Sequence, residues 1–241
     1  MKSIDQKLEF NQLDRDAYVK RVAATVPQGS RVLDVGAGEG RYRDYFSHCR
    51  YETQDLKQYE GTKQGLHQET WHYTKLDYVS DITAIPVKDA SFDFVLCTEV
   101  LEHVSEPIKA IKEMARILKS GGRILLTAPL GSGLHQKPYH FYGGFTPYFY
   151  EKFMGENGLR ILEIKPNGGF LKYFSQESAR VAEWLVHAEH LGKWSLKKRL
   201  LRFVFRTLIP AYCLPKDAEY FLEDFTVGYF VLAEKSNILK Q

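Results

Sequence analysis

One stretch, residues 32–42 with the sequence VLDVGAGEGRY, limits what this chain can become. Val32, Leu33 and Val35 form an apolar run of strand type, and glycines at 36, 38 and 40 follow, so the chain turns sharply where a buried strand leaves a sheet. The pattern predicts a strand, a glycine turn and then the start of a helix. Glycines carry no Cβ, which lets the backbone approach a ligand closely while a helix N-terminus points its N–H groups into the gap. A dinucleotide site uses the spacing G-x-G-x-x-G and presents the helix dipole to a pyrophosphate. Here the spacing is G-x-G-x-G, and Asp34 stands two residues before the first glycine. A carboxylate there repels a diphosphate and suits a cation, paired directly or through one water.

The D-V-G-A-G-E-G run resembles the first motif of the class I S-adenosylmethionine-dependent methyltransferases. The resemblance implies that Asp34 faces the methionine amine while Gly36, Ala37 and Gly38 lie along the cofactor. Asp55 follows Gly36 by 19 positions, the distance a strand-to-strand crossover needs, and an acid at a strand tip can accept both hydroxyls of a ribose. The resemblance gives Asp55 that role, with Leu56 beside it; a solvated loop aspartate is the other reading. The later run DITAIPVKDASFDFV is also similar to the family, which implies an adenine hydrogen bond for Asp81 and ring packing for Ile82. Read alone, Asp81 serves equally well as a turn cap.

Residues 92–97 are apolar apart from Asp93, as a central parallel strand buried on both faces requires, and CTEVLEHVSEP follows. The strand end places Cys97, Thr98 and Glu99 at the cofactor edge. An N/D-P-P-Y motif, which amide- and adenine-N-methylating members carry, is absent. E-V-L-E-H-V instead resembles the type 11 group that includes ubiquinone-pathway methyltransferases. In O-methylating members of that pathway, acids and a histidine here hold a divalent metal, and the matching residues are Glu99, Glu102 and His103. Relatives with this motif also work without one. No metal is assigned, and packing, general base and metal ligand stay open for His103.

Beyond Pro129 the stretch LGSGLHQKPYHFYGGFTP carries glycines, aromatics and two histidines without periodicity. Aromatic faces can stack a ring or a sulfonium, His135 or His140 could take a proton from a hydroxyl, and the glycines suit a lid. An aromatic loop packed for stability is the alternative.

Around these motifs, periodicity predicts a helix through Val19, Val22, Ala23 and Val26, from which Tyr18 or Arg21 could reach the cofactor. A crossover helix with Tyr42, Tyr45 and Phe46 on its core face should follow the glycine turn, and a loop is expected over residues 57–73. Tyr78, Val79 and Ile82 suggest the third strand. Ser105 is read as capping a helix whose buried stripe is Ile108, Ile111, Ala115 and Leu118, and Thr146 with Pro147 as starting another. Residues 159–164 and 225–233 suggest the last strands. The expected fold is α/β, and the family resemblance implies its form: a Rossmann-like doubly wound seven-stranded sheet with one antiparallel strand. The expected divisions are a core over 1–168, a helical insertion over 169–222, and the final strand with a tail over 223–241.

Within the insertion, residues 191–216 hold no acid but carry Lys193, Lys197, Lys198, Arg199, Arg202 and Arg206 among Trp194, Leu200, Phe203, Phe205 and Leu208. Such a helix caps an active site with its lysines in water, lies on an anionic membrane, binds acidic substrate groups or meets nucleic acid. The formal net charge of +3 over 241 residues is slight and does not by itself argue for nucleic acid as a partner. Cys49, Cys97 and Cys213 are too scattered for a disulfide framework or thiolate zinc site, MKSIDQKLEF has no signal-peptide core, and a cytoplasmic enzyme is expected. Its expected activity is S-adenosylmethionine-dependent methylation, by preference on oxygen, of a small or lipid-like molecule. An RNA or protein acceptor, or a non-catalytic adenosyl-binding role, is the alternative. A nicotinamide oxidoreductase is disfavoured by Asp34 and the glycine spacing.

Overall fold

The computed structural model describes residues 4–61 and 72–236. Its strands are β1 (Arg31–Val35), β2 (Arg50–Asp55), β3 (Tyr78–Val79), β4 (Phe92–Thr98), β5 (Leu118–Pro129), β6 (Leu159–Pro166) and β7 (Gly228–Lys235). They form one sheet in the order β3-β2-β1-β4-β5-β7-β6. β1 pairs in parallel with β2 and β4, β4 in parallel with β5, and β7 runs antiparallel to β5. The chain moves outward from β1 through β2 to β3 and returns on the other side of β1 as β4. The carboxyl ends of β1 and β4 therefore flank the switch point where open α/β sheets bind ligands.

Alternation along the central strands separates two apolar layers. Leu33, Val35, Val95, Cys97, Ile124 and Leu126 share one cluster, whereas Val32, Phe94, Leu96, Leu125 and Phe230 share the other. Both faces of β1 and β4 are thus covered, which is why their residues read as continuous apolar runs. The first layer is closed by α3 (Pro107–Ile117) and α4 (Pro147–Glu156), the second by part of α2 (Phe10–Ala23), a helix preceded by the short α1 (Ile4–Leu8).

Several local expectations need correction. No α-helix follows the glycine turn: residues 36–42 are turns, and a four-residue 3₁₀-helix, Arg43–Phe46, carries the chain to β2. Gly36, Gly38 and Gly40 all have positive φ (69°, 50° and 72°), a conformation that cannot continue into a right-handed helix. Tyr42 and Phe46 nevertheless point into the core as expected. β3 is only two residues long and ends before Ile82. α3 has Glu106, not Ser105, at its cap position, without a side-chain cap, and its buried face is Ala110, Ile111, Met114 and Ala115, while Ile108 is exposed. Thr146 does cap α4, accepting from the Phe149 amide. The expected loop over 57–73 is irregular where described; residues 62–71 lie outside the described residues.

Contacts divide the chain into two units, a sheet unit of Asp16–Lys165 with the segment from Gly228 onward, and a helical unit of Pro166–Val227 with the segment up to Arg15. The opening residues thus group with the helices, where a core of 1–168 had placed them with the sheet. Asn167 donates its amide to the Asn11 carbonyl and side chain, and Lys172 reaches Asp14 while lying over the Phe10 ring. The helical unit contains α5 (Phe170–Ala188), α6 (Leu196–Leu201), a π-helical stretch (Arg202–Leu208) and α7 (Ile209–Cys213).

Candidate cofactor and catalytic site

The glycine turn is held from β2. The Gln54 carbonyl accepts from the Gly36 and Ala37 amides at 2.8 and 3.0 Å, and the Asp55 carboxylate accepts from the Gly38 amide at 3.0 Å. Gly36 could carry nothing larger: a Cβ would lie 2.4 Å from Val100 Cγ2. Gly36→Ala is therefore expected to cost about 2–4 kcal/mol, the sum of a left-handed backbone for an L-residue and overpacking. Urea unfolding measures it, and adding Val100→Ala should recover the packing part but not the backbone part.

Asp34 is buried on β1, and the Tyr51 hydroxyl donates to its Oδ2. Burial pushes its carboxyl up to about 7, with the Asp55 charge adding to the rise and the Tyr51 hydrogen bond opposing it. No cation forms an ion pair with it among the described residues. A buried acid in that state fits a ligand that brings its own ammonium, since pairing offsets the desolvation that raises it.

Asp55 ends β2 and bridges two sides of the turn, its Oδ1 accepting from the Lys57 amide and its Oδ2 from Gly38. Burial raises its carboxyl against those amide bonds. Leu56 beside it is exposed. Asp81 Oδ1 accepts from the Thr83 amide and hydroxyl at 2.8 and 2.7 Å, so it caps a turn, and Ile82 is buried in the core. Tyr18 and Arg21 do not point to this edge. Both hydrogen-bond Glu163 on β6, at 2.7 and 2.8 Å.

At the end of β4 Cys97 is fully buried, while Thr98 is half-buried. Glu99 sits at φ 54°, uncommon for a residue with a Cβ, and is held there by Thr127: its amide donates to the Thr127 carbonyl, and its Oε1 accepts from the Thr127 hydroxyl at 2.7 Å. Such strain, imposed by surroundings, is frequent at functional sites.

The loop 130–145 lies down over this motif. The Phe141 and Tyr142 amides donate to the Glu102 carbonyl at 2.9 and 3.2 Å, and the Tyr142 hydroxyl donates to the Ser105 carbonyl. His103, His135 and His140 come together, with ring centroids 4.5–5.7 Å apart. The His103 Nδ1 faces the Tyr139 carbonyl at 2.7 Å and the His135 Nδ1 the Gly133 carbonyl at 2.9 Å. A neutral ring in that position donates through Nδ1 and keeps a lone pair on Nε2. Burial, reinforced by the neighbouring histidines, lowers His103 to about 4, so it is neutral at physiological pH.

The donor set that converges is Glu102, His103 and His135, whose ligand atoms lie within 4.8 Å of one another. Glu99, which the resemblance had matched to a ligand position beside Glu102 and His103, is not in it. The carbonyl-bonded Nδ1 atoms are the outer-shell arrangement that orients ligating imidazoles, so these residues fit a divalent ion as well as a proton acceptor.

Sequence reading missed Tyr51, Gln54, Tyr139 and Tyr150. The Tyr150 hydroxyl is buried on α4 without a hydrogen-bond partner among the described residues, and burial, then Glu102 and Glu99, push its ionisation up. The first three act through groups that only the fold brings near, and no spacing in the sequence signals them.

Residues 33–126 match the family described as a methyltransferase domain. A ubiquinone biosynthesis O-methyltransferase from Xanthomonas oryzae pv. oryzae is 32% identical over 167 residues, covering 67% of this chain and 62% of that protein. A demethylmenaquinone methyltransferase from Bacillus licheniformis is 28% identical over 131 residues, covering 52% of this chain and 56% of that protein. The chain thus spans less than two thirds of the length of these relatives. A crystal structure of a SAM-dependent methyltransferase from Archaeoglobus fulgidus superposes with a TM-score of 0.54 at 16% identity, over 93% of this chain and 94% of that one, which establishes the shared fold. The sheet order, the antiparallel β7, the glycine turn at the switch point and the family match agree: the chain carries a class I S-adenosylmethionine-dependent methyltransferase domain.

Proposed function

We propose that this chain transfers a methyl group to a hydroxyl oxygen of a small or lipid-like molecule. The supporting observation is the cluster of His103, His135 and His140 laid by loop 130–145 against the end of β4, at the edge where the glycine turn opens. S-adenosylmethionine, when bound, supplies an electrophilic methyl on a sulfonium. Asp34 holds its ammonium, the backbone of Gly36, Ala37 and Gly38 lies along it, and Asp55 exchanges its hold on the Gly38 amide for the ribose hydroxyls. Leu56 and Ile82 border the base, with Asp81 as its hydrogen-bond acceptor. His103 takes the acceptor's proton on Nε2 as the new bond to oxygen forms, its ring fixed by the Tyr139 carbonyl. Alignment of donor and acceptor supplies much of the remaining rate enhancement.

A divalent ion, were one used, would be held by Glu102 and the Nε2 atoms of His103 and His135, and would act as a Lewis acid toward an acceptor oxygen. The names of the relatives favour quinone-type acceptors. Incubating the protein with methyl-labelled S-adenosylmethionine and a panel of hydroxylated, amine and carboxylate acceptors should label a hydroxylated compound. Label on amines alone, or tight cofactor binding with no transfer, would overturn the proposal.

A further inference from the structure

The helical unit exposes apolar side chains in a pattern that water alone does not favour. Along the run 196–213, Leu196, Leu200, Phe203, Leu208 and Tyr212 are each more than half exposed, and Trp194 just ahead of them is 86% exposed. Their spacings are 4, 3, 5 and 4 residues. In a regular α-helix the step of five would throw Leu208 about 140° off the stripe. The π-helical stretch Arg202–Leu208 widens the turn at that step, so Leu208 and Tyr212 stay on the same side as Leu196, Leu200 and Phe203. Local backbone and apolar pattern therefore agree on one exposed face about 24 Å long.

Charge completes the pattern. Residues 191–216 contain seven Lys or Arg and no acid. Lys197, Arg202 and Arg206 turn back to pair with Glu189, Glu183 and Asp5 inside the unit. Lys193, Lys198 and Arg199 form no ion pair among the described residues; Lys193 lies by the Trp194 ring, and Arg199 is about 60° from the Leu196 position around the helix. Apolar side chains flanked by long cations that can extend toward headgroups are what an interfacial helix needs. No helix among the described residues is long and apolar enough to cross a membrane, so the contact is peripheral. A nucleic acid would use the cations but gain little from leucines and a phenylalanine facing outward.

We propose that the face formed by Trp194, Leu196, Leu200 and Phe203, with Lys193 and Arg199 beside it, docks on an anionic lipid bilayer. This stands apart from the choice of methyl acceptor. Flotation with vesicles of phosphatidylcholine, with or without phosphatidylglycerol, tests it on the full chain. Wild type should partition at least tenfold more strongly into the anionic vesicles and lose that preference in high salt. Lys193→Glu with Arg199→Glu, and separately Leu200→Ser with Phe203→Ser, should each reduce partitioning at least tenfold while leaving S-adenosylmethionine affinity unchanged, which also shows that the variants fold. Absence of wild-type flotation, equal flotation of the charge-reversal variant, or displacement of the protein from vesicles by a homopolymer RNA would overturn the proposal. So would a solution dimer that the same variants dissociate without any change in flotation, since the face would then belong to a second copy.

Discussion

Asp34→Asn is expected to weaken S-adenosylmethionine binding at least a hundredfold while leaving the ligand-free protein as stable as wild type or more so. The two effects have one cause. Asp34 is buried with the Tyr51 hydroxyl as its hydrogen-bond partner, and burial is the largest influence on its carboxyl. An ammonium brought beside it forms charge-assisted hydrogen bonds in a poorly solvated place. Removing the carboxylate leaves that ammonium desolvated and unpaired, a loss of roughly 3 kcal/mol, which is about a hundredfold. Without ligand the same carboxylate is a desolvation penalty, and an amide of equal size still accepts from Tyr51. Calorimetric titration and urea unfolding read the two halves separately. A loss below fivefold in affinity would remove Asp34 from the ammonium site.

The pH dependence has a definite sign. The Asp34 carboxyl is raised to about 7, so below that pH the acid is protonated and cannot pair with the ligand. Apparent affinity should fall about tenfold per unit as pH drops below 7, level off above it, and be flat through this range in Asp34→Asn. In the ligand-free protein the native state keeps this proton between the ordinary carboxyl value, about 4, and about 7, where the unfolded chain has released it. Stability therefore declines as pH rises across that window, by on the order of 4 kcal/mol. His103 acts in the opposite direction. It is lowered to about 4, so the unfolded chain takes up a proton first as pH falls below about 6.5, and stability is lost from there down to about 4. The two slopes oppose each other in wild type, and the difference between variant and wild type isolates Asp34.

The order in which strands carry the family-like motifs was legible because central parallel strands announce themselves: Val32, Leu33 and Val35, and the 92–97 run, have both faces covered and so no polar alternation. The Thr146 cap was legible for an equally local reason, whereas the antiparallel last strand was expected only from the family resemblance. The segment between the glycine turn and β2 was not. A helix there needs room, and only 13 residues separate Gly36 from Arg50 at the start of β2, a count that already argues for a short crossover. Asp81 illustrates a different limit, since an acid two residues before a threonine satisfies that threonine's amide and hydroxyl by itself, whatever else it does. The histidine cluster depended on tertiary placement. His135 and His140 lie more than thirty residues beyond His103, and only the amides of Phe141 and Tyr142 on the Glu102 carbonyl bring them together. The family resemblance matched Glu99 with Glu102 and His103, but Glu99 has a left-handed backbone and its carboxylate accepts from Thr127.

His103→Gln is expected to lower kcat toward a hydroxyl acceptor by about a hundredfold to ten-thousandfold while changing S-adenosylmethionine affinity less than about twofold. The imidazole is fixed through Nδ1 by the Tyr139 carbonyl, and in the proposed reaction its Nε2 lone pair takes the proton. Because the ring titrates near 4, kcat should show no inflection between pH 6 and 8, where an ordinary histidine would show one, and should fall only as pH approaches 4. So weak a base accepts a proton only as transfer of the methyl makes the acceptor oxygen strongly acidic, which couples the two events in one step. A carboxylate acceptor has no proton to lose, and its methylation should survive His103→Gln almost intact. His135 and His140 both depress His103, so His135→Gln should move the inflection upward without abolishing turnover. If the Nε2 lone pairs of His103 and His135 instead hold a metal with Glu102, a chelator would remove activity from wild type and a divalent ion would restore it. The base reading requires kcat to be unchanged by both additions, and that pair of measurements decides between the two uses of one set of atoms.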